Sequence, residues 1–150
     1  MGANHQFCTF HLDGRLFGVK LQQIQEVIRS FDLTEVPLAP MVVSGLMNLR
    51  GQIVAAIDLR RRLELVPRLK GVEPICVVVR TSDSVVSLLV DDIGDVVEVQ
   101  EAAFEPPPET LMGRMRSVIL GVYKLDQHLL HVLDTERLCS VEAVGLGAIS

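Results

Sequence analysis

Short apolar runs broken by Gly, Pro, Asp and Asn recur along most of this chain, the mark of β-strands. Phe7 to Leu12 and Leu16 to Val19 are two such runs, joined by Asp13-Gly14, a two-residue hairpin turn. Leu21, Ile24, Val27 and Ile28 then recur at helical spacing, which predicts a short helix over Leu21 to Gln25. A mixed, more exposed strand follows from Val27 to Val36. Pro37 and Pro40 end it, because proline offers no ladder donor and keeps the preceding residue extended.

The organising stretch is Val43 to Leu63, VSGLMNLRGQIVAAIDLRRRL. Two apolar runs flank Arg50-Gly51-Gln52, and glycine reaches the positive φ that a tight strand-to-strand turn requires. Alternation places Leu46, Asn48 and Arg50 on one face and Met47 and Leu49 on the other. Asp58 closes the second run and serves as N-cap of a helical turn over Leu59 to Leu63. An arginine at the lip of an apolar hairpin has no packing reason to be there.

Val66 to Gly71 is the clearest internal loop, and the chain is expected to divide into two subdomains near residues 66–72. Ile75 to Arg80 and Val85 to Val90 form a second hairpin across the polar turn Thr81 to Ser84. Asp91 to Asp95 bends the chain into a strand over Val96 to Val99. Pro106-Pro107-Pro108 is a surface connection. Val118 to Leu125 and Leu129 to Leu133 make a last hairpin, Asp134 caps a turn from Thr135 to Leu138, and the tail 141–150 is weakly patterned. Ile53-Val54-Ala55-Ala56-Ile57-Asp58-x-x-Arg61 is echoed by Leu129-Leu130-His131-Val132-Leu133-Asp134-x-x-Arg137, the trace that two similar small barrels leave in one chain. About ten short strands with frequent turn signals give an all-β fold.

Composition narrows the function classes. Hydrophobic residues make up 49% of the 150 but aromatics only 4%, with no Trp, so the core is aliphatic. A net charge of −5 provides no basic footprint for nucleic acid or anionic membranes. No apolar run approaches the roughly 20 residues of a membrane span, and the opening MGANHQF lacks a signal-peptide core. A cytoplasmic location is expected. Cys8, Cys76 and Cys139 lie far apart with no C-x-x-C spacing, so they read as small hydrophobes and imply neither zinc nor a disulfide framework.

The search for catalytic groups returns little. His128 and His131, three apart on a strand, point to opposite faces. Asp91 and Asp92 are adjacent and diverge in extended chain. Gly145-Leu146-Gly147 lacks the strand and third glycine of a dinucleotide loop, and neither a G-x-S-x-G nor a P-loop occurs. Arg60-Arg61-Arg62 reads as a solvated helix face. No metal, no cofactor and no enzymatic activity are expected.

Phe10-x-Leu12-x-x-x-x-Phe17-Gly18-Val19, Ile24-x-Glu26-Val27, Val36-Pro37-x-x-Pro40 and Gly45-Leu46-x-Asn48-Leu49-Arg50-Gly51-x-Ile53-Val54-x-x-Ile57-Asp58-Leu59 together resemble the CheW family of chemotaxis coupling proteins. Leu89-Val90-Asp91-x-Ile93-x-x-Val96, Leu120-Gly121-x-x-x-Leu125 and Leu133-Asp134 extend the resemblance from Phe7 to about Leu138. It implies a single CheW-like domain over 1–150, built as two five-stranded SH3-like β-barrel subdomains with short helical turns. It also implies a non-catalytic adaptor between the cytoplasmic tips of methyl-accepting chemotaxis receptors and the regulatory domain of the histidine kinase CheA. Carried over residue by residue, the receptor groove takes Ile24, Glu26, Val27, Leu46, Arg50, Val90 and Asp91, and the kinase end takes Val36, Pro37 and Gly45. An apolar groove with a few polar register points suits an amphipathic helical hairpin. Two readings stay open at this point: Ile24, Val27 and Leu46 are groove or core, and Arg50 holds the receptor or braces Glu26.

This sequence departs from the family pattern in three places. Ala55 stands where proline is usual, Met47 where a smaller or β-branched residue is commoner, and the Thr81–Ser84 turn has no glycine. No phosphotransfer, ATP-binding or receiver segment is present, and the first strand lies so near the N-terminus that the chain reads as a complete coupler. Two other functions remain beside it: a coupler for surface motility, pili or gene expression, and a small-barrel enzyme using Cys8 or Cys139 as nucleophile.

Overall fold

Ten strands and three short helices follow one another in the computed structural model, which describes residues 3–140. β1 (Asn4–Leu12) and β2 (Arg15–Lys20) form the first hairpin, and a 3₁₀ turn, Leu21–Gln23, leads to β3 (Ile24–Ile28). β4 (Val43–Leu49), β5 (Gln52–Asp58) and α1 (Leu59–Arg62) complete the first half of the chain. β6 (Ile75–Arg80), β7 (Val85–Val90) and β8 (Asp92–Gln100) begin the second half; α2 (Gly113–Val118), β9 (Ile119–Lys124), β10 (Leu129–Leu133) and α3 (Thr135–Leu138) end it. The tail 141–150 lies outside the described residues.

Local chemistry accounts for the joints. Asp13-Gly14 and Arg50-Gly51 take positive φ at both positions, 50° and 75° in one and 53° and 88° in the other, the mirror-image turns that match strand twist. The Thr81–Ser84 turn manages without glycine: Thr81 N–H donates to the Ser84 carbonyl at 2.8 Å, and the Thr81 hydroxyl accepts from Ser84 N–H at 3.1 Å. Asp58 caps α1 by accepting from Arg60 N–H, and Asp134 caps α3 by accepting from Arg137 N–H, each at 3.1 Å.

The strands form two five-stranded sheets in the orders β8-β1-β2-β10-β9 and β3-β6-β7-β5-β4, each curled into a small SH3-like barrel. The halves of the chain have one topology, and they exchange strands. β3 leaves the first hairpin to pair with β6, β8 leaves the second to pair with β1, and β5 and β10 run parallel to β7 and β2 of the opposite half. The loop expected to divide the chain, 66–72, has a particular place in this pattern. That loop separates two equivalent halves of the sequence, yet both its flanks, β5 and β6, belong to the same sheet. The sequence echo is therefore the trace of a strand-exchanged repeat.

Strand exchange gives the molecule three cores. The barrels enclose one cluster around Met47, Val54 and Val78 and another around Phe7, Tyr123 and Leu130. The largest lies between them and draws Phe10, Phe17 and Leu133 from one sheet and Ile57, Val77 and Leu88 from the other. Each such side chain contributes about 1.5–3 kcal/mol on full burial, so the shared core fixes the barrels against each other. β7 is buried on both faces, because it serves its own barrel and the shared core at once.

Other expectations need correction. No strand runs from Val27 to Val36; β3 stops at Ile28, and Thr34 alone bridges Leu46. β8 starts at Asp92, well before Val96, with a bulge between Cys8 and Phe10 taking up the register. α2 was not foreseen: six residues beginning at a glycine with φ 63° leave little periodicity to read, although Met115 and Val118 anchor it to the shared core.

Candidate functional site

β3 and β4 are the two edges of the second barrel, and a salt bridge spans them. Arg50 Nη1 donates to Glu26 Oε2 at 2.6 Å. Glu26 is held on β3 opposite Val78, while Arg50 stands at the tip of the β4–β5 turn, whose geometry Asn48 Oδ1 fixes by accepting from Gly51 N–H at 2.8 Å. The partners are unequal: the Arg50 side chain is 76% exposed and that of Glu26 21%. Among the described residues the guanidinium meets only Glu26, which leaves donors for an incoming acceptor. Val27, 39% exposed, and the half-buried Ile24 and Leu46 share these elements. Ile24 packs partly against the shared core, and Leu46 exchanges both backbone hydrogen bonds with Thr34 at 2.8 Å.

Val90 and Asp91 do not join this surface. Val90, expected as a contact, is fully buried opposite Ile75 in the shared core, and both faces of β7 are covered. Asp91 is the hub of a clamp. Arg60 reaches it twice, at 2.8 and 2.6 Å, Arg68 approaches within 3.2 Å, and the Asp13 N–H donates at 3.0 Å. Burial pushes the Asp91 carboxyl up, but the Arg60 hydrogen bonds, the Asp13 N–H and the two guanidinium charges prevail and hold it below the usual carboxylate range. The clamp ties the β1–β2 turn to α1 and to the 66–72 loop, where Val66 C=O accepts from Arg60 at 2.7 Å.

The arginine triplet, read as a solvated face, divides three ways. Arg60 serves the clamp, Arg61 lies beside Asp58 at 3.5 Å, and Arg62 is buried. Arg62 donates to the last carbonyls of α3, Leu138 at 3.3 Å and Arg137 at 3.4 Å, a C-terminal cap supplied by the other barrel. Gln23 to Thr135 at 2.9 Å and Ser82 N–H to Glu136 at 2.8 Å brace the same junction. Sequence reasoning missed Arg68 and these braces; Arg68 meets Asp91, 23 residues along, and Gln23 meets Thr135, 112 residues along, beyond any local pattern.

Val36 and Pro37 border a depression lined also by Leu38, Met41, Asp58 and Arg61, at the α1 end of the second barrel. Gly45 is not on that surface. It is buried, and a Cβ there would stand 2.7 Å from the Thr34 carbonyl. All three thiols are buried, and burial raises each pKa, that of Cys139 to about 12. None has the electropositive, exposed setting of an activated nucleophile. His131 is buried and bonds the Leu16 carbonyl at 2.9 Å, and His128 is exposed.

A family profile described as the CheW-like domain matches residues 6–143. The chain belongs to the CheW family. It is 30% identical over 139 residues to the chemotaxis protein CheW of Treponema pallidum, covering 90% of this chain and 82% of that one. It is 29% identical over 145 residues to the chemotaxis protein CheW of Klebsiella aerogenes, covering 96% and 87%. Among solved structures, the scaffolding protein TtCheW from Thermoanaerobacter tengcongensis superposes with a TM-score of 0.84 at 26% identity, covering 94% of this chain and 96% of that one. CheW-like architecture therefore frames the Glu26–Arg50 edge, the Asp91 clamp and the shared core alike.

Proposed function

We propose that this chain is a non-catalytic adaptor of the cytoplasm that couples methyl-accepting chemotaxis receptors to the histidine kinase CheA. The observation that carries the reading is the match of nearly the whole chain to a family whose relatives are chemotaxis and scaffolding proteins. The exposed arginine at the edge of a barrel that shares its core with a second barrel supports it. Among the described residues no helix is long and apolar enough to cross a membrane, and the buried thiols argue against cysteine chemistry.

The receptor tip, a helical hairpin, lies against Ile24, Glu26, Val27, Leu46 and Arg50, with apolar side chains taking its amphipathic face and Arg50 fixing register. Asp91 acts at one remove by holding the loops of the clamp. The kinase regulatory domain meets the end that presents Val36 and Pro37, with Gly45 shaping the strand beneath. Binding measured separately against a receptor cytoplasmic tip and against a CheA regulatory domain tests the proposal. Saturable complexes with both are expected; failure with either partner would overturn the coupling role.

A further inference from the structure

We infer that the gap between β8 and β9, the two edges of the first barrel, is a docking cleft for an extended peptide segment of a partner protein, a bulky apolar anchor flanked by basic residues. The two barrels are internal references for each other. Their ladders align Tyr123 with Met47 and Leu130 with Val54, and place Val97 on Ile28. On this register Asp126 occupies the position of Arg50, and Asp95 that of Glu26. The salt bridge that spans the edges of the second barrel is replaced in the first by two carboxylates, which cannot draw the edges together.

The segment that crosses each gap differs too. In the second barrel Phe31 and Leu33 pack down on the barrel core before Thr34 bridges Leu46. In the first, Glu105 makes the equivalent bridge to Val122, but the preceding turn, Glu101–Ala103, offers alanines where the other barrel has Phe31. Phe104 tilts onto Tyr123 with ring centroids 5.2 Å apart and stays 41% exposed. What remains is a cleft of about 810 Å³ with Val97, Val99, Tyr123 and Leu125 in its wall. The second barrel thus shows what fits such a gap: a crossing segment that carries an aromatic side chain and ends in a backbone bridge.

The rim selects its charge. Among the described residues Asp126 has no ion-pair partner, Glu98 receives only the Asn4 amide at 3.0 Å, and Lys124 is engaged by Glu105 at 3.6 Å. Among the described residues β8 ends its sheet, and its outer backbone groups there are open to a further strand. An apolar wall, an unpaired strand edge and an acidic rim together call for an extended basic–apolar segment.

The probe is a fluorescein-labelled peptide of residues 27–34 carrying Asp32→Lys, titrated into the whole chain by anisotropy. Saturable binding is expected, with amide shifts at Val97 and Leu125. It should weaken with added salt, and by about tenfold or more when the peptide also carries Phe31→Ala. Ala103→Phe in the protein should plug the cleft and abolish binding with no loss of melting temperature. Asp126→Arg, on an exposed turn, should weaken binding by about tenfold through like charge and keeps the test valid if the plug variant misfolds. No saturable binding, binding indifferent to Asp126→Arg, shifts confined to another surface, or a second copy of the chain in the cleft by sedimentation would each overturn the inference.

Discussion

Arg50 reaches Glu26 at 2.6 Å from a backbone position that penalises any side chain, with φ at 53°. Left-handed backbone costs a residue with a Cβ about 1–2 kcal/mol, and an exposed ion pair returns roughly 0.2–1 kcal/mol. The bridge alone does not explain an arginine where a mirror-image turn favours Asn, Asp or Gly. Arg50→Asn is therefore expected to leave the melting temperature unchanged or raised. Receptor-tip affinity should fall by about 1–3 kcal/mol, the scale of a charged hydrogen bond, and kinase affinity should hold. Lysine should rescue incompletely, because an ammonium lacks the planar fork. A lower melting temperature with both affinities reduced together would make Arg50 a brace of the fold.

Gly45 calls for a different expectation. Its Cβ would meet the Thr34 carbonyl at 2.7 Å and Leu33 Cβ at 3.2 Å, both backed by the Thr34–Leu46 bridge. Gly45→Ala should cost about 1–3 kcal/mol by overpacking, and any weakening of kinase binding should track that loss. Pro37→Asp, on an exposed loop, should instead weaken the kinase complex by 2 kcal/mol or more, as interface centres do, without changing stability. Paired denaturation and binding curves separate the two; a Gly45→Ala protein of normal stability and weak kinase binding would reverse the assignment.

What the sequence made legible was local. Short apolar runs, the Asp13-Gly14 and Arg50-Gly51 turns and the Asp58 and Asp134 caps are written within a few residues of where they act. The echo between Ile53–Arg61 and Leu129–Arg137 was visible for the same reason. The exchange of β3 and β8 was not, because pairing β3 with β6 or β8 with β1 is a choice between remote partners of similar pattern. That choice buries Val90 and pairs Asp91 with Arg60 and Arg68, placements that no local pattern around either residue encodes.

The thiols should be inert while the protein is folded. Cys8, Cys76 and Cys139 are buried, and burial moves each away from thiolate, Cys139 to about 12. Reaction with an aromatic disulfide reagent at neutral pH should be far slower than for a free thiol and should reach that rate in denaturant. A cysteine that labels at full speed in the native protein would reopen the case for cysteine chemistry.

The Asp91 clamp sets an acid limit on stability. Its carboxyl sits below the usual range in the folded chain, whereas an unfolded aspartate titrates near about 3.9. A native pKa below the unfolded one means that the folded state holds fewer protons as the pH drops. The contribution is then complete above about pH 5 and is lost as pH falls through the native value. Asp91→Asn removes the charge and leaves Arg60 and Arg68 facing a neutral amide, with side chains only 15% and 11% exposed. Breaking a fully buried pair costs about 3–5 kcal/mol; for this partly solvated one, about 2–3 kcal/mol is expected at neutral pH. Urea unfolding between neutral pH and about pH 2 should show the two stability curves converging as the wild-type carboxyl protonates. Curves that stay parallel down to the lowest pH would mean that Asp91 supports the fold by shape rather than by charge.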